Sequence, residues 1–392
     1  MKKIIAVIAA LTMLLPLASC GGADVDPSVI FTPVESGTDT ENGANADTSL
    51  LFEKTVGSAS VKFYGTPGEI DKIEAGSSTF DVAAKSSDAE FGFFAKDVNF
   101  DGKEDFAVSS GKVGGVTNYL IFLDNGDGGF TNAGEFGDPL FDRANSKIYA
   151  TKAGTPETFE IYAVNGGSLT LEKGGIPLDA TPEFKSDLSS YEQYMAPDDR
   201  DGYLLLVNSD HPLDSSFVPE DLTDLKDTRS DRAAQQLTKT AAYALEALYI
   251  EMRAAGYTDV SVTSGYRSYA RQEEVFNMYL NMNLANGYDY DTAYAMVASD
   301  TALPGQSEHQ SGLGCDMHNL SSASQAFKDQ PVYSWLIENC HKFGFILRFP
   351  ADKEDITKIT FEPWHYRFVG RYHATKIHAA GLCLEEYIEL LK

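Results

Sequence analysis

Two stretches near the C-terminus decide how this chain is read: Ser307-Glu308-His309-Gln310-Ser311-Gly312-Leu313-Gly314-Cys315-Asp316, and Glu362-Pro363-Trp364-His365. Together they bring two imidazoles, a carboxylate that can share a cation with them, and a second carboxylate three residues before a His. Two His and one carboxylate make a three-ligand zinc set, which leaves the fourth tetrahedral position for water or substrate. A structural zinc closes that position, so the set points to chemistry. Glu362 is then the natural proton carrier beside the metal. A His and an Asp separated by six residues also occur in solvated loops, so that pair alone decides little.

The second motif carries a geometric constraint. The run from Ile359 to Phe368 alternates like a strand and is rich in aromatic and branched residues. Strict alternation would put Glu362 and His365 on opposite faces. Both reach one metal only if the strand bends, and Pro363 between them marks an irregular or edge position. A helix would place them on one face, but proline is tolerated only in a helix's first turn. The expectation is a bent strand.

Three motifs occur in order: Ser264-Gly265-Tyr266-Arg267-Ser268, the S-x-H-x-x-G-x-x-x-D of 307–316, and the later E-x-x-H. With them, residues 200–392 resemble the VanY-type D-alanyl-D-alanine carboxypeptidases, within the zinc peptidase group that includes VanX-type dipeptidases and hedgehog-like domains. Tyr203 to Leu213 looks like the family's leading segment. The resemblance implies His309, Asp316 and His365 as zinc ligands and Glu362 as catalytic base. It implies Arg267 as the group that holds the substrate carbonyl or carboxylate, a role that suits a fixed fork of donors. Gln272 and Ser307 are expected to add substrate contacts. The implied activity trims the terminal D-Ala of peptidoglycan stem peptides. An L,D-carboxypeptidase, a dipeptidase, an endopeptidase and an inactive wall-binding module stay open as alternatives.

Other residues near the motifs have plainer expectations. Cys315 reads as a small buried filler, since its side chain points away from that of Asp316 in an extended segment. His318 stays outside the ligand set. His341, His373 and His378 read as surface or helix-end residues, and Trp364 as a pocket wall or core residue.

The 392 residues suggest two or more domains. Lys2 and Lys3 precede an apolar run to Leu17, followed by Ala18-Ser19-Cys20. This is a signal-peptide pattern, and its end resembles a bacterial lipobox with Cys20 as the lipidated residue. The expected product is an exported protein, membrane-anchored through lipid at Cys20. The net charge of −27 argues against nucleic acid as a partner. Three cysteines remain beyond Cys20, so at most one internal disulfide can form, and whether Cys340 and Cys383 pair is open.

Residues 21–50 read as a flexible tether. From 51 to 175 short apolar runs (61–64, 91–94, 119–123, 159–163) between Gly/Asp/Asn turns predict an all-β accessory domain. It contains Asp97, Asn99, Asp101 and Asp105 around Gly102, an oxygen-rich loop suited to calcium that resembles the loops of FG-GAP and VCBS repeats. Val108 stands at loop position twelve, so an EF-hand fails. A metal-free Asp-rich hairpin is the alternative. Residues 176–200 read as a linker. Beyond them, helices at 230–255, 269–286 and 331–343 alternate with strands such as 257–263, giving an α+β zinc peptidase domain over 201–392.

Overall fold

The computed structural model describes residues 48–154 and 157–392. The signal peptide, Cys20 and most of the expected tether lie outside these residues. At the tether's described end, Ser49 and Leu50 already belong to the first strand.

Alternating apolar residues and glycine turns build the N-terminal half as three successive antiparallel meanders. The first is β1 (Ser49–Val56), β2 (Ala59–Thr66), β3 (Glu69–Ala75) and β4 (Ser78–Lys85). The second is β5 (Phe94–Lys96), β6 (Asp105–Val113), β7 (Val116–Asp124) and β8 (Phe130–Gly137). The third is β9 (Leu140–Asp142), β10 (Lys147–Lys152), β11 (Thr158–Asn165) and β12 (Ser168–Pro177). Inward-facing Phe63, Phe106 and Phe122 join the first two sheets, with the Phe106 and Phe122 rings stacked at 4.7 Å. The expected strand at 91–94 exists only at Phe94. Phe91 sits at φ 54 in a turn and buries its ring in this core, so an apolar run marked burial rather than extension.

The expected linker is packed. Leu188 and Met195 of α1 (Glu192–Met195) and its approach enter the core of the C-terminal half, and Leu178 is buried as well. Pro and Asp content hid these apolar anchors.

The C-terminal half continues with β13 (Leu222–Asp224), β14 (Gln236–Thr238), α2 (Lys239–Ala254), β15 (Ser261–Ser264), α3 (Tyr269–Ala285) and α4 (Tyr290–Asp300). Then follow β16 (Gly314–His318), α5 (Pro331–Asn339), β17 (Phe345–Leu347), α6 (Glu354–Thr357), β18 (His365–Phe368), α7 (Arg371–Ala380) and α8 (Leu384–Leu390). The helix expected from 230 starts only at Lys239, because Gln236–Thr238 pair with Leu222–Asp224 as a short ladder. The strand expected from 257 starts at Ser261. A central antiparallel sheet runs β15-β16-β18-β17. Ala241, Leu245, Leu248 and Met252 of α2 lie on one helical face and pack with Val262, Cys315 and Tyr366 of the sheet. Cys315 is thus a core residue, and Cys315, Cys340 and Cys383 are all free thiols.

The two halves share a core. Tyr149, Phe159 and Ile161 of the third meander cluster with Ile377 of α7 and Leu384 and Tyr387 of α8. Each such side chain contributes about 1.5–3 kcal/mol on full burial, so the β region is fused to the helices. No described helix is long and apolar enough to cross a membrane.

Candidate metal centre

The site forms where the central sheet ends. Ser264 of β15 lies beside Asp316 of β16, and Asp316 pairs directly across the ladder with His365 of β18. After Ser264 the chain presses against β14. A Cβ at Gly265 would sit 2.5 Å from the Gln236 carbonyl oxygen, so only glycine fits. The next loop clasps the following motif: Arg267 N donates to His309 O at 3.0 Å, and His309 Nδ1 lies 2.8 Å from Gly265 O. That carbonyl demands a proton on Nδ1 and leaves the His309 Nε2 lone pair free. His309 itself rides on a single turn, Glu308–Ser311, ended by Gly312 at φ 67.

Three side chains converge. His309 Nε2 is 3.5 Å from Asp316 Oδ2, and His365 Nδ1 is 2.9 Å from Asp316 Oδ1. The rings stand at 87° with centroids 4.9 Å apart. One ligand atom from each of the three lies within 4.8 Å of the others. Two imidazole nitrogens and one carboxylate suit zinc, with room for a further ligand.

Glu362 reaches the site by a route other than the expected bent strand. The ladder begins only at His365. Residues 362–365 form a turn in which His365 N donates to Glu362 O at 3.1 Å, with Pro363 at the first corner, where its fixed φ is favoured. The turn brings Glu362 Oε2 to 3.8 Å from His365 Nδ1.

The electrostatics are those of a site built for a cation. Burial, reinforced by Asp316, pushes Glu362 up to about 8. Burial alone would depress His365, but its hydrogen bonds to Asp316 and Glu308 raise it to about 9. Burial would raise Asp316, yet His309 and His365 hold it well below the usual carboxylate range. His309 is depressed by burial and by Arg267, and so is neutral and ready to ligate. In the metal-free site His365 therefore holds a proton at neutral pH, and a cation ligated through that ring must displace it. Zinc binding at pH 7 is expected to release about one proton and to tighten as pH rises toward 9. Calorimetry in buffers of low and high ionisation enthalpy measures this, and equal heats in both would contradict it.

Arg267 is largely buried and lines the same cleft, of about 600 Å³, with Ser307, Tyr279, Glu362 and Trp364. Its Nη1 donates to Gln272 Oε1 at 2.7 Å and its Nη2 to Ser264 Oγ at 2.8 Å. Gln272, fully buried, also donates to Ala302 O at 2.6 Å. Gln272 therefore aims Arg267 and itself lines the cleft beside it. His318 stays out of the cluster, its Nδ1 accepting from Leu320 N at 3.1 Å. His373, expected at the surface, is buried between Tyr387 Oη at 2.8 Å and Asp201 at 3.1 Å.

The sequence reading passed over Glu308, Arg348 and Arg367. All three are buried around the far side of His365. A signal was available: Arg367 lies two residues beyond His365 in an otherwise apolar strand, where an unpaired charge would be costly.

The expected calcium loop has its oxygens already engaged. Asp105 accepts from the backbone N–H groups of Val98, Asn99 and Asp124. Asp97 accepts from Asp101 N and Gly102 N and pairs with Arg143 at 2.6 Å, while Asp101 pairs with Lys103 at 2.8 Å. Cationic side chains and amides occupy the ligands, and the calcium expectation finds no support.

Residues 234–371 match the family model described as VanY, D-alanyl-D-alanine carboxypeptidase. A D-alanyl-D-alanine carboxypeptidase of Enterococcus faecalis is 37% identical over 195 residues, 50% of this chain and 69% of that protein. The bifunctional D-Ala-D-Ala dipeptidase and D-Ala-D-Ala carboxypeptidase VanXYC of Enterococcus gallinarum is 33% identical over 194 residues, 48% of this chain and 94% of that protein. A solved structure of a variant of the vancomycin-resistance D,D-pentapeptidase VanY, in complex with Zn(II), aligns at 38% identity and a TM-score of 0.42. It covers 47% of this chain and 98% of that one.

Proposed function

The chain belongs to the VanY family of D-alanyl-D-alanine carboxypeptidases, and from that premise we propose that its cleft removes the terminal D-Ala of peptidoglycan stem peptides by zinc-dependent hydrolysis. The observation that carries this reading is the convergence of His309, Asp316 and His365 on one point, with Glu362 3.8 Å from His365 and Arg267 lining the same cleft.

The chain's own residues divide the work. His309, Asp316 and His365 hold the metal, and zinc supplies Lewis-acid activation of water and of the scissile carbonyl when bound. Glu362 takes a proton from the attacking water and returns it to the departing amine. Burial raises its proton affinity above that of an ordinary carboxylate, which favours its part as proton acceptor. Arg267, pre-aimed by Gln272 and Ser264, offers its guanidinium to the developing oxyanion or to the terminal carboxylate of the substrate. Ser307 and Trp364 wall the cleft that receives the peptide end.

We extend the proposal to the remainder of the chain. Residues 201–392 are the VanX-like peptidase part, residues 51–175 an accessory β part, and Cys20 a lipid anchor that holds both on the outer side of a membrane. The lipobox-like Leu17-Ala18-Ser19-Cys20 supports the anchor.

The test is digestion of pentapeptide and tetrapeptide muropeptides, followed by mass, with and without a chelator. Loss of one alanine from the pentapeptide, abolished by chelator and restored by zinc, is the expected result. Cleavage confined to the tetrapeptide would reassign the enzyme as an L,D-carboxypeptidase. Zinc binding with neither peptide cut would overturn the hydrolase reading in favour of a wall-binding module.

A further inference from the structure

Behind His365, on the side away from Asp316, stands a buried charged assembly. His365 Nε2 lies 3.4 Å from Glu308 Oε2. The other oxygen of Glu308 accepts from Arg348 Nε and from Arg367 Nη1, each at 2.6 Å. Arg348 forks onto Glu385 of α8 at 2.7 and 2.6 Å. Arg367 spends its remaining donors on backbone carbonyls, Phe368 O at 3.0 Å, Tyr203 O at 2.9 Å and Leu205 O at 2.6 Å.

Two guanidiniums face two carboxylates, so the assembly balances its own charge without drawing on Asp316 or Glu362. That balance matters, because a buried ion pair lacking one partner is strongly destabilising. Glu308 is therefore held ionised and can only accept hydrogen bonds. Toward His365 it calls for a proton on Nε2, which leaves the lone pair on Nδ1, the nitrogen that faces Asp316. His309 is set in the opposite sense by the Gly265 carbonyl, with its proton on Nδ1 and Nε2 free. The two imidazoles thus present different nitrogens to the same point, each dictated by a fixed acceptor behind it.

We propose that Glu308 is a positioning residue for the metal centre: anchored by Arg348 and Arg367, it locks His365 as the Nε2–H tautomer and so presents Nδ1 to the cation. The inference rests on the metal-site part of the function proposed above and is independent of which peptide is cleaved. Partners of this kind behind metal-ligating imidazoles typically contribute 10–100-fold to metal affinity.

The experiment combines chelator competition for zinc with 15N NMR of the histidine side chains in the zinc-loaded full chain. In the wild type, His365 should show a protonated Nε2 and a metal-coordinated Nδ1. Glu308→Gln should weaken zinc binding about 10–100-fold and shift or split the His365 Nε2 signal, because an amide can turn a donor toward the ring. Glu385→Gln removes support one step further out, on the short α8, and should give a smaller loss of the same sign. It decides the matter if Glu308→Gln does not fold. Unchanged zinc affinity and an unchanged His365 signal in a folded Glu308→Gln, or in Glu385→Gln when Glu308→Gln does not fold, would overturn the proposal. So would coordination through His365 Nε2 in the wild type. A wild type that binds zinc through Nδ1 yet cleaves no stem peptide would sink the hydrolase reading and leave this one standing.

Discussion

Glu362→Gln is expected to leave a folded protein that still binds zinc but turns over stem peptide at least about 1,000-fold more slowly. Proton transfer by a positioned side chain is worth about 100- to 10,000-fold. Neither Asp316, committed to the two imidazoles, nor Glu308, committed to two arginines, is free to replace Glu362. A thousand-fold loss corresponds to about 4 kcal/mol of transition-state stabilisation. The substitution keeps the shape of the side chain and removes a carboxylate that sits near two others. Zinc affinity should therefore change little, and metal-free stability should hold or rise slightly. Single-turnover kinetics and chelator competition on the same preparation separate the two effects. A kcat within tenfold of wild type would remove Glu362 from the chemistry and send the search for the proton carrier elsewhere in the cleft.

His365→Ala should damage both the metal site and the fold. One ligand of three disappears, and the zinc affinity should fall by more than the roughly 100-fold ceiling seen for supporting partners. Activity should vanish at ordinary zinc concentrations and return only in part at high ones. The structural effect has a separate origin. His365 lies between Asp316, Glu308 and Glu362, and its elevated proton affinity shows that these carboxylates stabilise its cationic form in the metal-free state. Without the ring, Asp316 loses its closest partner in a buried setting. The expected cost is about 3–5 kcal/mol, typical of breaking a buried pair from one side. Urea unfolding of the metal-free variant measures it. His365 binds its proton more tightly folded, near 9, than unfolded. Its contribution is therefore fully present below the unfolded value and fades as pH rises through about 9. The difference between wild type and His365→Ala should narrow accordingly at alkaline pH. A variant as stable as the wild type across that range would show that the imidazole does not organise the carboxylates.

The residues that carry chemistry were readable because their spacing is set by ligand geometry. His309 and Asp316 sit in a Gly-interrupted segment, and His365 follows Glu362 at a distance only a turn can close. The same letters left the turn itself ambiguous: alternation around Pro363 read as a strand, and the actual corner depends on a hydrogen bond from His365 N to Glu362 O. Helix periodicity located α3 and α5 but placed the start of α2 too early. The pairing of Gln236–Thr238 with Leu222–Asp224 is a long-range choice that local pattern cannot express. Glu308 and Arg348 were invisible for the same reason, and Arg367 was signalled only by its place in the strand. A charged residue reads as solvent-facing until its partners, 40 and 59 residues away, are known. The acidic loop at 97–105 shows a different limit of spacing, which does not say which donors its oxygens meet. Its oxygens fit a familiar spacing, but Arg143 and the backbone amides reach them first.

The shared core between the third meander and α7–α8 bears on how this protein can be handled in the laboratory. The matched family segment ends at residue 371, short of most of α7 and all of α8. A recombinant fragment trimmed to that segment would discard Glu385. One that kept the helices but began near residue 201 would uncover the part of the Ile377, Leu384 and Tyr387 cluster that Tyr149, Phe159 and Ile161 cover. Contiguous bare apolar surface of this kind drives aggregation. The recognisable piece is therefore smaller than the packed one, and an inactive or insoluble short fragment would report on the cut.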